Sequence, residues 1–266
     1  MKMAEVNGIR LHYALDGRED AQALVFANSL GTDFRVWDAL VAEFSDSHRI
    51  VRYDKRGHGL SEAPPAPYRM TDHVDDLIAL LDHLSIEEPI VCGLSVGGMI
   101  AQGFAGDADT GARVRGLVLM DTAHKIGTPE MWNTRIEQVR AGGIAAIAAS
   151  ILERWFSRDF RQNRSDELAG WRHMLVRTPL EGYVGTSEAI RDCDLTAGTR
   201  TIPVPTLCMA GAEDGSTPPD LVRELAGLIA GARFVEIAGA GHLPCVERTD
   251  LVASEMRRFF AANGWT

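Results

Sequence analysis

Cysteine is scarce. Cys92, Cys193, Cys208 and Cys245 are the only four in 266 residues, and no two form a C-x-x-C pair. That excludes a zinc ribbon and a disulfide framework, and it fits a reducing, cytoplasmic setting. Long apolar runs are missing too. The longest, residues 144–152, falls far short of the ~20 residues a spanning helix needs. The opening Met1-Lys2-Met3-Ala4-Glu5-Val6 holds no apolar signal core. We therefore expect no membrane partner. Basic charge is in deficit, with 27 Lys plus Arg against 37 Asp plus Glu and a net charge of −10. A chain of that sign does not coat nucleic acid, which requires clustered Lys and Arg. With 45% hydrophobic and 24% charged residues it can bury a substantial core. What remains is a globular protein that handles small molecules.

Six short, mostly apolar runs read as strands: residues 24–27, 49–53, 89–93, 117–120, 206–210 and 234–237. Continuous apolar character marks strands covered on both faces, as in a parallel sheet. Helical patterns separate them at 71–84, 97–106, 219–229 and 250–262. The first has Thr71 as its N-cap and Val74, Leu77, Ile78, Leu81 and Leu84 on one stripe. Such alternation predicts an α/β fold with a doubly wound, mostly parallel sheet. Asn7-Gly8, between two short runs, is a strong hairpin signal and predicts an antiparallel edge pair.

The rhythm breaks between about Ala123 and Thr201. Helical patterns at 130–141, 143–156, 166–176 and 180–191 follow one another without a strand, and Trp132, Trp155 and Trp171 lie among them. The economical reading is a helical cap insertion, 123–201, in a core domain formed by 1–122 and 202–266. Ligands of open α/β sheets bind beyond the carboxyl ends of the strands. An insertion leaving after Met120-Asp121 is placed to cover such a site.

Gly93-Leu94-Ser95-Val96-Gly97-Gly98 carries the clearest chemistry. It is G-x-S-x-G directly after a strand and directly before a helix, the setting in which a serine is held on a strained turn with its Oγ exposed. The Val96 N–H and the positive helix end then face a developing oxyanion. The alternative is a purely structural Gly-Ser turn. A serine needs a base, and His242, between the last strand and the last helix, is the best placed of eight histidines. His58, at a strand end, is the main rival, and solvated roles are expected for His12, His48 and His83. Asp214, a few residues beyond strand 206–210, is the candidate acid, with Glu213 and Asp121 as rivals. The order Ser95, Asp214, His242 is the α/β-hydrolase order. A second oxyanion donor is expected in Asn28-Ser29-Leu30-Gly31, with the Leu30 N–H in the favoured position.

These motifs resemble the α/β-hydrolases over nearly the whole chain. Tyr53-Asp54-Lys55-Arg56-Gly57-His58-Gly59-Leu60-Ser61 is similar to the loop many members carry after the fourth strand. Within that family the chain resembles the 3-oxoadipate enol-lactonases. The similarity lies in Asn28-Ser29-Leu30-Gly31-Thr32-Asp33, in Gly93 to Gln102, in Gly127 to Ile136, and in Glu181-Gly182-Tyr183 and 189–195. Thr186-Ser187 depart from the small or cysteine residues expected there. The resemblance implies hydrolysis of a small lactone or ester carrying a carboxylate, with no cofactor and no metal. An aspartate-elbow dehalogenase or epoxide hydrolase is disfavoured by Ser95. A carboxylesterase, a cofactor-free haloperoxidase, a carbon–carbon bond hydrolase and a non-catalytic small-molecule receptor remain alternatives. The implied carboxylate calls for a cation. Trp132 and Arg135, three apart on one helix, are the candidates for substrate binding, with Arg154 and Arg191 as competitors.

Overall fold

Asn7 and Gly8 both take positive φ, 47° and 75°. They turn strand β1 (Lys2–Val6) back onto β2 (Ile9–Gly17), with Val6 opposite Ile9. The computed structural model describes residues 1–265, and this hairpin is the antiparallel edge of its eight-stranded sheet. The other strands are β3 (Ala23–Ala27), β4 (Arg49–Tyr53), β5 (Ile90–Leu94), β6 (Gly116–Met120), β7 (Thr206–Gly211) and β8 (Arg233–Ile237). The order is β1-β2-β4-β3-β5-β6-β7-β8, and every pair from β4 to β8 is parallel. Strands β3, β5, β6 and β7 are buried at every residue. Helices on both faces explain their unbroken apolar character.

Four helices accompany the first six strands or follow them closely: α1 (Asp38–Phe44), α2 (Met70–His83), α3 (Val96–Ala105) and, after β6, α4 (Pro129–Gly142). Then come α5 (Ala148–Trp155), α6 (Arg158–Asn163), α7 (Ser165–Val176), α8 (Leu180–Arg191) and α9 (Thr196–Thr199). The core resumes with β7, α10 (Pro219–Leu228), β8, α11 (Pro244–Glu247) and α12 (Thr249–Ala262). No strand interrupts α4 to α9 among the described residues. No helix there is long and apolar enough to cross a membrane.

Three local expectations shift. Helix α2 begins at Met70, not after Thr71, because the Asp72 carboxylate accepts the Arg69 N–H at 2.7 Å and sets the N-cap two residues earlier. The helix expected over 143–156 does not start at Gly143 (φ 71°): a 3-10 turn spans Ile144–Ala146 and α5 begins only at Ala148. Helix α6, unforeseen, starts where the Ser157 Oγ accepts the Phe160 N–H at 3.2 Å.

The chain leaves β3 for β4 on one side and returns to the other side of β3 as β5. This reversal of direction is the position where open α/β sheets form their binding crevice. Here the two backbones nearly touch: a Cβ on Gly97 would lie 1.9 Å from the Ala27 carbonyl oxygen. Overpacking usually costs ~1–3 kcal/mol, and a backbone carbonyl yields less than a side chain. Gly97→Ala is expected to lose about 3 kcal/mol in urea unfolding. An unaltered midpoint would show that the contact is soft.

Candidate active site

Ser95 stands between β5 and α3 at φ 57°, ψ −119°, a conformation that costs ~1–3 kcal/mol for a residue with a side chain. Its surroundings over-determine it. Its N–H donates to the Met120 carbonyl at 2.9 Å, and its carbonyl accepts from Gly98 N–H at 2.8 Å and Thr122 Oγ1 at 2.6 Å. Gly93 cannot carry a side chain, since its Cβ would sit 2.3 Å from the Gly97 oxygen, and one on Gly98 would strike Thr122 at 2.5 Å.

Beyond β7, Asp214 is buried and meets His242. Its Oδ2 accepts His242 Nδ1–H at 2.8 Å and Thr217 Oγ1–H at 2.7 Å, while Oδ1 accepts the N–H groups of Ser216 and Thr217 at 2.7 and 3.2 Å. Burial works to raise this carboxyl, but His242 and the hydroxyl and amide donors outweigh it and hold it below the ordinary carboxylate range. An ionised Asp214 fixes the proton on Nδ1 and leaves Nε2 as an acceptor. Helix α5 sets both loops: the Trp155 carbonyl accepts the His242 N–H at 2.8 Å, and the Arg154 carbonyl accepts the Gly215 N–H at 3.2 Å. Glu247 steadies the turn before His242 by accepting the Gly241 N–H at 2.7 Å.

The rivals lie elsewhere or are otherwise engaged. Glu213 is exposed and accepts the Arg158 N–H at 3.0 Å. His58 is fully buried between Arg56, whose carbonyl lies 3.1 Å from Nδ1, and Gly31, whose N–H donates to Nε2 at 3.0 Å. Burial, then Lys55, drive its pKa far down, so it stays neutral. His12 and His48, expected in solvent, are buried. His12 Nδ1 meets Asp54 at 2.8 Å and His48 Nδ1 meets Ser47 Oγ at 2.8 Å. His12 lies on β2 between β1 and β4, and His48, just before β4, packs against Phe44 and Phe260. Asp121 has φ 47°, accepts the Gly211 N–H at 2.8 Å and leaves Oδ2 without a partner. It lies close to Asp214 and His242 without bonding the imidazole. Those three groups could face one small cation, but Asp214 already accepts four donors and His242 Nδ1 is committed to it.

Ser95 and His242 line one cavity of about 110 Å³ together with Leu30, Trp132, Arg135, Arg154, Trp155, Tyr183 and Thr217. No Asp or Glu lines it. A larger groove of about 870 Å³, between Phe34 and Trp171, holds neither Ser95 nor His242. Thr128 caps α4 and Pro129 opens it, a register that sends Trp132 and Arg135 to the cavity. Trp132 is fixed by its Nε1–H to the Ile126 carbonyl at 2.7 Å, and the Arg135 guanidinium lies 4.7 Å over its ring. Arg154, a competitor on sequence grounds, shares the cavity, whereas Arg191 pairs with Asp192 and Asn133 outside it. Tyr183 was missed. Its only signal was membership of Glu181-Gly182-Tyr183, and its phenol is raised by burial against the pull of Arg135 and Arg154. Among the described residues, no protein acceptor takes the N–H of Leu30 or of Val96.

A strand-to-helix serine, a β7 acid and a β8-loop histidine on this sheet order decide the class. The family described as "Alpha/beta hydrolase family" matches residues 24–255. The chain belongs to that family. This α/β-hydrolase is 34% identical to 3-oxoadipate enol-lactonase 2 of Acinetobacter baylyi, over 94% of each chain. A crystal structure of the enol-lactonase from Burkholderia xenovorans superposes with a TM-score of 0.94 at 39% identity, covering 98% of this chain and 100% of that one. A thermophilic esterase from Thermogutta terrifontis, solved with malate bound, gives 0.92 at 27% identity over the whole of both chains.

Asp121 carries a pH signature. Burial, then Asp214, raise its carboxyl far above the ordinary value. The folded state therefore holds a proton that the unfolded state releases near pH ~3.9. Stability from this group is present below that pH and is lost as pH rises toward the folded-state pKa. Asp121→Asn keeps the acceptor for Gly211 without the titration. The variant's melting temperature is expected to gain on the parent between pH 4 and pH 8. A parallel pair of curves would contradict this.

Proposed function

We propose that this α/β-hydrolase is a serine hydrolase that opens an enol-lactone, most specifically 3-oxoadipate enol-lactone to 3-oxoadipate, a step of aromatic catabolism. One observation carries the reading: Ser95 shares a small enclosed cavity with two arginines and no carboxylate. An apolar wall with an unneutralised cation suits a small ring bearing an acid arm. The names of the two enol-lactonase relatives support that substrate class, and the malate-bound esterase supports carboxylate recognition on this scaffold. On the same reading, residues 123–201 act as a cap that supplies the acid-binding half of the cavity.

Ser95 Oγ attacks the lactone carbonyl while His242 Nε2 takes its proton and Asp214 holds the imidazolium. The Leu30 and Val96 N–H groups donate to the oxyanion. The ring C–O bond then breaks, the enolate takes the proton from His242, and the enol tautomerises to the ketone. Water, deprotonated by His242, releases the acid from Ser95. An enol leaves more readily than an alkoxide, so orientation and oxyanion donation carry most of the work.

The decisive assay follows loss of enol-lactone absorbance. Ser95→Ala is expected to abolish turnover. Arg135→Ala and Arg154→Ala are each expected to raise KM roughly 10-fold or more with kcat little changed, since a hydrogen bond to a charged group contributes ~1.5–3 kcal/mol. A folded parent that cleaves aryl esters and leaves the lactone intact would instead make the protein a general esterase.

A further inference from the structure

Lys55 is 1% exposed. A buried amine is costly unless its donors are used. Its Nζ donates to the Ser29 carbonyl at 2.6 Å, and the same oxygen accepts from Thr32 Oγ1 at 3.0 Å and Thr32 N–H at 3.3 Å. The Ser29 carbonyl and the Leu30 N–H are the two ends of one planar trans peptide, so they point in opposite directions. Anchoring the oxygen on Lys55 therefore aims the Leu30 N–H away from Lys55, and that N–H is the one without a protein acceptor. The next peptide is fixed from the same loop, where the Gly31 N–H donates to His58 Nε2 at 3.0 Å.

We propose that Lys55 is a positioning residue for transition-state stabilisation: by holding the Ser29 carbonyl it orients and polarises the peptide whose Leu30 N–H donates to the oxyanion formed at Ser95. The inference rests on the serine-hydrolase reading but not on the identity of the lactone. A donor on a peptide oxygen strengthens the N–H of the same amide as a donor, because hydrogen-bonded groups polarise one another. Burial pushes the Lys55 amine well below the usual lysine range, against the smaller opposing pull of Asp54 and Asp33, and a neutral amine still has N–H groups to donate to the Ser29 oxygen. The motif after β4 thereby acts on the site without touching substrate: Lys55 and His58 clamp two consecutive peptides of the loop after β3.

The test compares the parent with Lys55→Met, which keeps the stem and removes the donor. Three quantities are read: kcat/KM for 4-nitrophenyl acetate, the Ki of an alkylboronic acid, and the Ki of a simple carboxylate such as adipate. The boronate adduct on Ser95 places a tetrahedral anion where the oxyanion forms, whereas adipate probes the arginines. Removing an oxyanion donor outright costs ~10²–10³ in rate, so misaiming one is expected to lower kcat/KM by roughly 10- to 100-fold. The boronate Ki should rise by the same factor and the adipate Ki should stay put. Thr32→Val, which removes one of the three donors to the same oxygen, should shift rate and boronate affinity together by a smaller factor. If Lys55→Met does not fold, that pair of readouts in Thr32→Val decides the matter. Folded Lys55→Met with unchanged rate, or a rate loss without matching loss of boronate affinity, overturns the proposal. A parent that neither cleaves the ester nor binds the boronate overturns the serine-hydrolase reading itself.

Discussion

The left-handed turn at Ser95 is the constraint on which the rest of the site depends. A serine at φ 57° is tolerable only because Gly93, Gly97 and Gly98 lack the Cβ atoms that would strike Gly97, Ala27 and Thr122. The strain raises Oγ above the sheet, and the return of the chain to the far side of β3 sets the loop after that strand next to it. Position along the sheet thus delivers Ser95 and the loop amides to one crevice before any residue of α4 to α9 is considered. The inner strands can be featureless and apolar because they only hold these ends in place.

The second constraint comes from a helix end. The last carbonyls of a helix have no partner within it. Helix α5 uses two of them on the Gly215 and His242 N–H groups, while the Arg154 side chain enters the cavity. One residue, Arg154, therefore ties the acid's loop through its backbone and presents a cation through its guanidinium. The same helix end thus both lines the cavity and holds the loops that carry Asp214 and His242.

The legible parts of the protein were those encoded locally. Strands β3 to β8 were evident because most are short runs that are largely apolar, four of them buried at every residue, and the hairpin because Asn7 and Gly8 suit positive φ. Ser95, Asp214 and His242 stood out because each follows a strand end in a meaningful order, and the structure sets the last two in hydrogen-bond contact. What escaped depends on partners far apart in sequence. Nothing near residue 58 reveals that its imidazole receives an amide proton from Gly31, or that Lys55 reaches Ser29. The short helix α6 and the early start of α2 hinge on single capping contacts, which periodicity does not see. Tyr183 lies on a helix whose inward face only the fold defines.

Net charge gives a misleading account of this site. The protein carries −10 overall, yet exposed charges are screened within ~8–10 Å at ordinary ionic strength, and an enclosed cavity answers to its own walls. Those walls hold Arg135 and Arg154 without a lining carboxylate. Stacking on Trp132 lets Arg135 give up water without an ion pair, since a guanidinium over an indole face retains attraction when partly desolvated. Arg154 has no such ring, and burial, then the neighbouring Arg135, lower its pKa. A cation whose charge is opposed by its surroundings gains most from a counter-ion, and the wall provides none. The proposed acid arm completes this electrostatic set: it relieves the repulsion between the two arginines and so is bound most strongly where the protein alone is least satisfied.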